Sequence, residues 1–481
     1  MSIKLSRRAF LGSSALLGAT VALNPRLAFA APTKRLKIEK RVIEVYGKAA
    51  DVFGIAGPDG RQGAYLAAGE DFAFSLDNQS GEDSIIHWHG QTPSPELDGV
   101  AATGYVDPLA NGEVRDFLFA PRPGTHWMHS HHGLQEQRQM AAPLIVRTKA
   151  DEASDLQDVT VLLHDFSFRS PEEILTSLTR ASAGTSGGMN MSGMAMPGMK
   201  MNAPAANGMS NMAMNTDLND IEYDAYLAND RTLADPEVIR TERNGRVRLR
   251  LINGAASTAF WIDLGSASAT VLAVDGNEVE PITGSRFPLA QAQRLDLLIE
   301  VAAGQALPIL AQREGSVERT GIILAAPDAP IAKLPDRAEM AASPVDLSLE
   351  ARLRAKAGLT DRAGTKTPVM LMGAMDPYSW SIDGNTWPNP KPIGAKHGER
   401  VELELINHSM MAHPMHLHGH HFQITAINGM AMAGALRDTI LVPAMATVTV
   451  AFDADNPGRW LFHCHNLYHM ATGMMTEVSY L

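Results

Sequence analysis

The sequence predicts an all-β protein built from sandwiches or barrels, and three observations support this fold class. Short runs of alternating or apolar residues recur along the 481-residue chain, and Gly, Pro, Asn and Asp separate them. Long stretches with helical periodicity are scarce. The chain that remains after removal of an N-terminal leader is too long for one hydrophobic core, which indicates roughly three domains.

Seven runs illustrate the strand pattern: FAFSL (72–76), VRDFLFA (114–120), DVTVLL (158–163), RVRLRLIN (246–253), LDLLIEV (295–301), RVELELIN (400–407) and TVTVAF (447–452). RVRLRLIN and RVELELIN resemble each other and indicate an internal repeat, although two amphipathic strands can also match by coincidence. Shifts in composition predict domains at 36–150, 155–330 and 345–481, with a Met-rich insert at 181–215.

The first thirty residues have the features of an export signal. Arg7 and Arg8 open it, an apolar stretch follows, and Ala28-Phe29-Ala30 gives the small-residue pattern of a cleavage site. Gly, Ser and Pro interrupt the apolar stretch, so a cleaved twin-arginine signal is favoured over a membrane anchor. We therefore expect a periplasmic protein that keeps no membrane anchor after cleavage.

Charge and cysteine content narrow the possible partners. The signal holds four basic residues and no acidic ones, so its removal takes the formal charge from −12 to −16. An acidic surface argues against nucleic acid and anionic lipid as partners and mildly favours cations. A single cysteine, Cys464, excludes an internal disulfide. No feature argues against a monomer, which is the expected state.

Histidine placement is the sharpest signal for a metal site. Four His-x-His pairs occur near the two ends of the chain: His87 and His89, His129 and His131, His416 and His418, and His463 and His465. Residues two apart on a β-strand point to the same face, so each pair can direct two imidazoles to one place. The pairs divide between the first and third predicted domains, which predicts a metal cluster at the interface of those domains.

The same strand geometry predicts a second metal site around the single cysteine. If His463 and His465 point one way, Cys464 between them points the other. His413, His469 and Met474 lie near it in the sequence. One cysteine, two histidines and a weak methionine form the ligand set of a blue-copper electron-transfer site.

HWHG, HSH, HPMHLHG and HCHNLYHMATGM, in this order, resemble the four copper signatures of the multicopper oxidases, the group of laccases, bilirubin oxidases and bacterial copper-efflux oxidases. The resemblance covers the whole mature chain and implies three cupredoxin domains, each a Greek-key β-sandwich. It also implies four copper ions with the following ligands: His413, Cys464, His469 and axial Met474 for type 1; His87 and His416 for type 2; His89, His129 and His465 for one type 3 ion; and His131, His418 and His463 for the other.

The reaction implied by the resemblance is the one-electron oxidation of a substrate at the type 1 copper, four times, with electrons passing through Cys464 to reduce dioxygen to water. Asp98 matches an acid that feeds protons to the cluster, although Asp-Gly is also a common turn pair. Met470 stands where many bacterial members carry a second acid. Asp438 matches an acid beside the type 1 histidine that helps receive Cu(I), with a strand-capping role as the alternative. Met410 and Met411 before His413 resemble the copper-efflux branch or pack around the type 1 site.

The Met-rich segment bears on the substrate. Its thioethers are soft ligands that select Cu(I), and the interleaved Gly, Asn, Ser and Pro leave no apolar face for a core. In the copper-efflux branch a Met-rich insert lies in the third domain, whereas here it precedes the body of the second, so a tolerated insert stays an alternative. The candidate Cu(I)-capturing methionines are Met189, Met191, Met194, Met196, Met199, Met201, Met209, Met212 and Met214.

Taken together, these features predict a periplasmic multicopper oxidase that oxidises Cu(I) in copper tolerance, with additional Cu(I) at the Met-rich segment. A laccase-like oxidase of phenols or aromatic amines is the alternative within enzymes. A copper-sequestering protein is the alternative of another class, although storage would not need a type 1 site joined to a cluster. The other histidines fall outside the ligand positions and are expected in structural or surface roles: His126, His132, His164, His397, His408, His420 and His421.

Overall fold

The computed structural model describes residues 34–181, 218–242 and 245–481, and within these ranges the chain forms six β-sheets. The sheets come in pairs, and each pair takes its strands from one stretch of the chain. The predicted signal peptide and the methionines of 189–214 lie outside the described residues.

The first sandwich consists of two four-stranded sheets, in the orders β2-β1-β4-β6 and β3-β8-β7-β5. Its core contains buried aromatic and aliphatic side chains from both sheets. The strands are β1 (Lys34–Val45), β2 (Lys48–Ala56), β3 (Ala64–Leu66), β4 (Phe72–Gln79), β5 (Ile86–His87), β6 (Val114–Phe119), β7 (Gly124–Ser130) and β8 (Ala141–Val146).

The second sandwich pairs a six-stranded sheet, β10-β9-β12-β17-β14-β15, with a five-stranded sheet, β11-β19-β18-β13-β16. It encloses the largest of the buried apolar clusters. The strands are β9 (Gln157–Phe166), β10 (Ala225–Ala228), β11 (Val238–Arg240), β12 (Arg246–Asn253), β13 (Phe260–Asp263), β14 (Ala269–Val274), β15 (Asn277–Gly284), β16 (Arg286–Leu289), β17 (Arg294–Glu300), β18 (Ala306–Arg313) and β19 (Arg319–Ala325).

The third sandwich pairs the sheet β21-β20-β23-β29-β25-β26, in which β27 also pairs with β25, with the sheet β22-β31-β30-β24-β28. Its core includes Cys464 and Met474. The strands are β20 (Thr365–Met375), β21 (Tyr378–Ile382), β22 (Ile393–Ala395), β23 (Arg400–Asn407), β24 (His413–Leu417), β25 (Phe422–Ile427), β26 (Met430–Ala431), β27 (Leu436–Arg437), β28 (Thr439–Val442), β29 (Thr447–Asp453), β30 (Arg459–Cys464) and β31 (Met475–Tyr480).

Helices contribute little to the described chain. They are α1 (Lys149–Ala153), α2 (Pro171–Ala181), α3 (Leu467–Ala471) and the 3-10 turns Pro95–Leu97, Ala101–Thr103 and Gln135–Arg138. None of the helices in the described ranges is long and apolar enough to cross a membrane.

The predicted all-β fold class is confirmed, and each of the seven predicted runs lies on a strand. The two similar runs, RVRLRLIN and RVELELIN, form β12 and β23, and these strands occupy the same place in their sheets. Each lies between a parallel neighbour and an antiparallel one: β9 and β17 for β12, and β20 and β29 for β23. β4 has the same arrangement between β1 and β6. The internal repeat is therefore structural, while the predicted domain limits stay a prediction.

A buried asparagine ends this repeated strand in all three sandwiches. Each side-chain amide donates to two or more backbone carbonyls, and each Oδ1 accepts from the backbone N–H two residues on. The residues are Asn78, Asn253 and Asn407. Since a buried amide needs partners, these bonds fix the loop that follows the strand. In the third sandwich that loop leads to His413.

Candidate metal centres

The four His-x-His pairs meet in one buried region between the first and third sandwiches. Three groups of ring nitrogens form there, and within each group the ligand atoms lie within 4.8 Å of one another. The groups are His87, His89 and His416; His89, His129 and His465; and His131, His418 and His463. The structure thus brings together the sets that the resemblance assigns to the type 2 and type 3 coppers, and we call these residues the trinuclear group.

Strand pairing places these histidines. His87 on β5 lies opposite His129 on β7, and His416 on β24 lies opposite His463 on β30. Because residues two apart share a face, the second member of each pair is delivered to the same region. The Nε2 atoms of His87 and His416 are 3.4 Å apart, so the two sandwiches touch through their ring nitrogens.

Hydrogen bonds hold the nitrogens that point away from the centre. Such bonds fix the tautomer and leave the other ring nitrogen as a lone-pair donor. The pairs are His87 Nδ1 with Asp98 O at 3.0 Å, His89 Nε2 with Asp438 Oδ1 at 3.0 Å, His129 Nδ1 with Glu136 Oε2 at 2.8 Å, His416 Nδ1 with Asp438 O at 2.9 Å, His418 Nδ1 with Asp98 Oδ2 at 2.9 Å, and His463 Nδ1 with Cys464 O at 3.0 Å.

The opposite nitrogens are buried without hydrogen-bond partners at His89 Nδ1 and at Nε2 of His129, His131 and His465. Leaving such groups unpaired is costly unless something binds them. Burial lowers the pKa of His89, His129 and His131 well below the ordinary value, and lowers that of His465 to about 3. Neutral imidazoles with free lone pairs are the donor set that copper requires, so the residues fit the metal.

Two buried carboxyls flank the trinuclear group. Burial alone would raise the pKa of Asp98, but the His87 and His418 imidazoles hold it well below its usual range. Asp98 therefore lies where the resemblance places the proton-feeding acid. Glu136 contacts His129, and burial together with the nearby Asp165 raises the pKa of Glu136 well above its ordinary value.

The prediction for Asp438 is wrong, because its side chain lies at the trinuclear group and not beside the type 1 histidines. Its Oδ1 is 3.0 Å from His89 Nε2 and 2.7 Å from Arg294 Nη1, and Arg294 Nη2 bonds the other oxygen. The cause is register: His416 pairs with Thr439, whereas His413 pairs with Val442 farther along β28. Asp438, which directly precedes Thr439, therefore lies near His416 and the trinuclear group, and not near His413.

A second metal-binding group lies in the core of the third sandwich. Its ligand atoms are His413 Nδ1, Cys464 Sγ and His469 Nδ1, with the sulfur 3.7 Å and 3.6 Å from the two nitrogens. Asn466 caps α3 and thereby sets the position of His469. Cys464 points away from its neighbours His463 and His465, and burial raises the pKa of its thiol.

Met474 belongs to the same buried cluster as Cys464. Its backbone carbonyl accepts from the Cys464 N–H at 3.1 Å, and its own N–H donates to the His469 carbonyl at 3.0 Å. Two predicted type 1 ligands are thus tied directly to the backbone of the predicted axial residue. We call His413, Cys464, His469 and Met474 the type 1 group.

Three residues around the type 1 group were not predicted. Asp220 Oδ2 lies 3.1 Å from His469 Nε2, Ser409 Oγ lies 2.7 Å from His413 Nε2, and the Trp380 ring lies 4.1 Å from the His469 ring. Trp380 and Ser409 are buried. The side chain of Asp220 is also buried, and its Oδ2 accepts from Asn466 Nδ2 at 2.9 Å. Ser409 had a sequence signal in its position four residues before His413, but Asp220 and Trp380 follow no spacing rule.

The remaining histidines divide by burial. His126, His164 and His420 are buried, and His421 contacts Gly90 O at 2.9 Å, so these four lie inside the fold. His132 is half-buried, and His397 and His408 are exposed. None of them joins a group of metal-binding side chains among the described residues.

Comparison with known proteins gives the same family in every part of the chain. Models of the multicopper oxidase family match residues 47–151, 176–321 and 361–480. The chain is 31% identical to multicopper oxidase MmcO of Mycobacterium tuberculosis over 420 residues, covering 86% of this chain and 80% of that protein. It is 27% identical to copper resistance protein A of Escherichia coli, covering 99% of both.

The fold agrees with this assignment. A multicopper oxidase structure from Pseudomonas thermotolerans superposes with a TM-score of 0.68 at 23% identity, covering 93% of this chain and 98% of that one. The predicted three cupredoxin-like sandwiches are thus confirmed, and copper is the metal that the family implies for the two groups. The chain belongs to the multicopper oxidases and is an oxidoreductase.

Proposed function

We propose that this multicopper oxidase oxidises Cu(I) at the type 1 group and reduces dioxygen to water at the trinuclear group, as part of periplasmic copper tolerance. The observation that carries the proposal is where the two flanks of the Met-rich segment lie. α2, which precedes it, and Ile221, which follows it, pack into the core cluster that contains Cys464 and Met474. Asp220, six residues beyond Met214, contacts His469.

The described residues on either side of the Met-rich segment thus lie on the type 1 side of the molecule. The segment precedes the body of the second domain in sequence, yet both described flanks contact the third sandwich. The flank that follows the segment also contacts the second sandwich, since Asn219 accepts from Arg313 Nε at 3.0 Å. A soft-ligand segment joined at that place favours a soft, small donor such as Cu(I) over an ornamental insert. The similarity to copper resistance protein A supports the same role.

Burial of the type 1 histidines favours a small donor as well. His413 and His469 are fully buried, and their outer Nε2 atoms face Ser409 and Asp220. A ring edge that is covered in this way leaves less access for a bulky phenol than for a small ion. The carboxylate of Asp220 is buried beside His469. A carboxylate there attracts a cation and repels the anion of an acidic phenol.

When bound, copper would supply the single-electron acceptor at the type 1 group and the multi-electron chemistry of dioxygen reduction at the trinuclear group. The chain's own part is connection and protonation. Cys464 is covalently adjacent to His463 and His465, so the two groups are joined by a few bonds. Asp98 Oδ2 lies 2.9 Å from His418 Nδ1 and holds the position from which a proton can be delivered. Met470 cannot take that role.

Oxygen uptake by the copper-loaded mature protein tests the substrate. Stabilised Cu(I) and a phenol are supplied in turn to the intact chain, to a chain lacking residues 189–214, and to one in which the nine methionines are leucines. The leucine variant keeps the segment length and removes only the thioethers. We expect Cu(I) turnover to fall at least tenfold in both variants while phenol turnover holds or rises. Negligible Cu(I) turnover with brisk phenol turnover in every chain would make this a laccase.

A further inference from the structure

The outer face of β20 carries two methionines where a polar residue would be ordinary. Met370 and Met372 are 39% and 37% exposed, whereas Leu371 between them is fully buried. The alternation shows that both thioether side chains leave the same face of the sheet, about 7 Å apart. Water, and not the core, is in contact with these two sulfur-bearing side chains.

An exposed histidine lies beside them on the neighbouring strand. β20 and β23 are parallel, with Leu371 opposite Asn407, and the His408 N–H donates to the Leu371 carbonyl at 2.9 Å. The ladder ends at this pair, and His408 is the next residue along the chain, on the β23 side of Met372. His408 is exposed whereas Asn407 is buried, so His408 lies on the outer face with the two methionines. Adjacent strands are about 4.8 Å apart, so the two side chains are neighbours.

The donor set is selective. Thioether and imidazole ligands favour Cu(I) and disfavour hard cations such as Mg²⁺ and Ca²⁺. The long, unbranched methionine side chains can converge on one ion from positions 7 Å apart. Asp383 adds a negative charge beside Met370, on the β21 side of β20, since its Oδ1 accepts from the Met370 N–H at 2.8 Å. A cation bound there is favoured further by that carboxylate.

We propose that Met370, Met372 and His408 form a surface binding site for Cu(I). The site stands apart from the type 1 and trinuclear groups and from the methionines of 189–214. Its position also connects it to the type 1 group. Ser409 follows His408 directly, and its Oγ lies 2.7 Å from His413 Nε2. An ion bound to His408 would therefore be next in sequence to Ser409, whose hydroxyl contacts the type 1 ligand His413.

Use of this site in turnover rests on the proposed function, whereas binding of Cu(I) does not. The test is anaerobic competition for Cu(I) between the reduced, copper-loaded full-length protein and the chelator bicinchoninate. Because the three side chains are exposed, the double variant M370L/M372L and the single variant H408Q will fold. We expect the double variant to hold one Cu(I) fewer per chain and H408Q to bind that ion at least tenfold more weakly.

The control is M340L, which removes a more accessible thioether, 80% exposed, from a different part of the surface. It should bind as many Cu(I) ions as the unaltered chain. Equal Cu(I) counts and affinities in the double variant, H408Q and the unaltered chain would overturn the proposal. If the site binds Cu(I) but the enzyme never turns Cu(I) over, the proposed function fails and the site stands. If Cu(I) turnover is normal and the variants bind Cu(I) as the unaltered chain does, the proposed function stands and the surface site fails.

Discussion

The carboxylate of Asp438 joins all three sandwiches. It lies in the third, accepts from Arg294 of the second, and is 3.0 Å from His89 Nε2 of the first. Arg294 is fully buried and also forms an ion pair with Asp275. A buried charge network of this kind depends on every member, since removal of one leaves another charge unpaired.

We expect D438N to lower the free energy of unfolding by about 3–5 kcal/mol, because Arg294 would keep a buried charge without its main partner. Chemical denaturation of metal-free protein measures this without a contribution from copper. The control is E278Q, which breaks an exposed pair with Lys356 and should change stability by less than about 0.5 kcal/mol. Equal unfolding midpoints for D438N and E278Q would show that the network adds nothing.

The sequence predicted which histidines meet at the metal centres. It did not predict the residues, such as Glu136 and Asp220, that hold those histidines in position. Histidines two apart on strands share a face whatever the fold, so the His-x-His pairs could be found from spacing alone. Glu136 comes from a 3-10 turn and Asp220 from a loop, and the path of both depends on the packing of other sandwiches. Asp438 was misplaced because sequence gives no register between β24 and β28, and a shift of three residues separates the two metal centres.

The buried carboxyl of Glu314 makes the stability of the protein depend on pH. Burial raises the pKa of its carboxyl from 4.5 to about 7, while its Oε2 accepts from the Val345 N–H at 2.8 Å. A raised folded-state pKa means that the native protein binds more protons than the unfolded chain between these values. The associated stability is present below about pH 4.5 and is lost as pH rises through about 7.

We expect E314Q to remove that pH dependence. The unaltered protein should lose about 3 kcal/mol between pH 4.5 and pH 7.5 from this group, since each pKa unit corresponds to about 1.4 kcal/mol. Thermal unfolding followed across this range for both proteins measures the difference. If the melting temperatures of the unaltered protein and E314Q change with pH in the same way from pH 4.5 to 7.5, Glu314 is not the cause of the pH-dependent loss of stability.

At the scale of elements, the repeated strand with its terminal asparagine is the unit that recurs in every sandwich. All seven strands predicted from alternating or apolar runs are present, because some have one buried face, such as β6, and others are buried on both faces, such as β17 and β29. The helix α3 was not predicted, since five residues are too few to show helical periodicity. Short strands at the edge of a sheet, such as β5, carry ligands, but they are too short for their sequence to predict a strand.

Asn253 and Asn407 occupy matching places, which allows a paired experiment. N253A should lower the free energy of unfolding by about 2–4 kcal/mol by leaving two carbonyls and one amide without their partner. N407A should cost a similar amount and also alter the blue absorption of the copper-loaded protein, because Asn407 Oδ1 holds the Ser409 N–H at 2.8 Å. Asn389 is exposed, and N389A is the neutral control.

An unchanged absorption spectrum in N407A would contradict the path from Asn407 through Ser409 to His413. A changed spectrum in N253A would contradict it as well, since the second sandwich supplies none of the predicted ligands. The stability and spectral effects thus separate the fold-wide role of the asparagine from its local role in the third sandwich.

At the scale of the molecule, the trinuclear group joins the first and third sandwiches through ring nitrogens that are 3.4 Å apart at His87 and His416. Metal bound there stabilises the native arrangement over the unfolded chain. We expect metal-free protein to melt several degrees lower than copper-loaded protein, and readdition of copper to restore the difference. Calorimetry of the loaded, stripped and reloaded protein measures this. Identical melting of all three would mean that copper does not couple the sandwiches.

The order of the ligands along the chain also has a consequence for biosynthesis. The first four histidines of the trinuclear group lie between positions 87 and 131, whereas His463 lies 332 residues after His131. A chain that stops before His463 lacks ligands of both copper centres. Complete copper centres can therefore form only after the third sandwich has been synthesised.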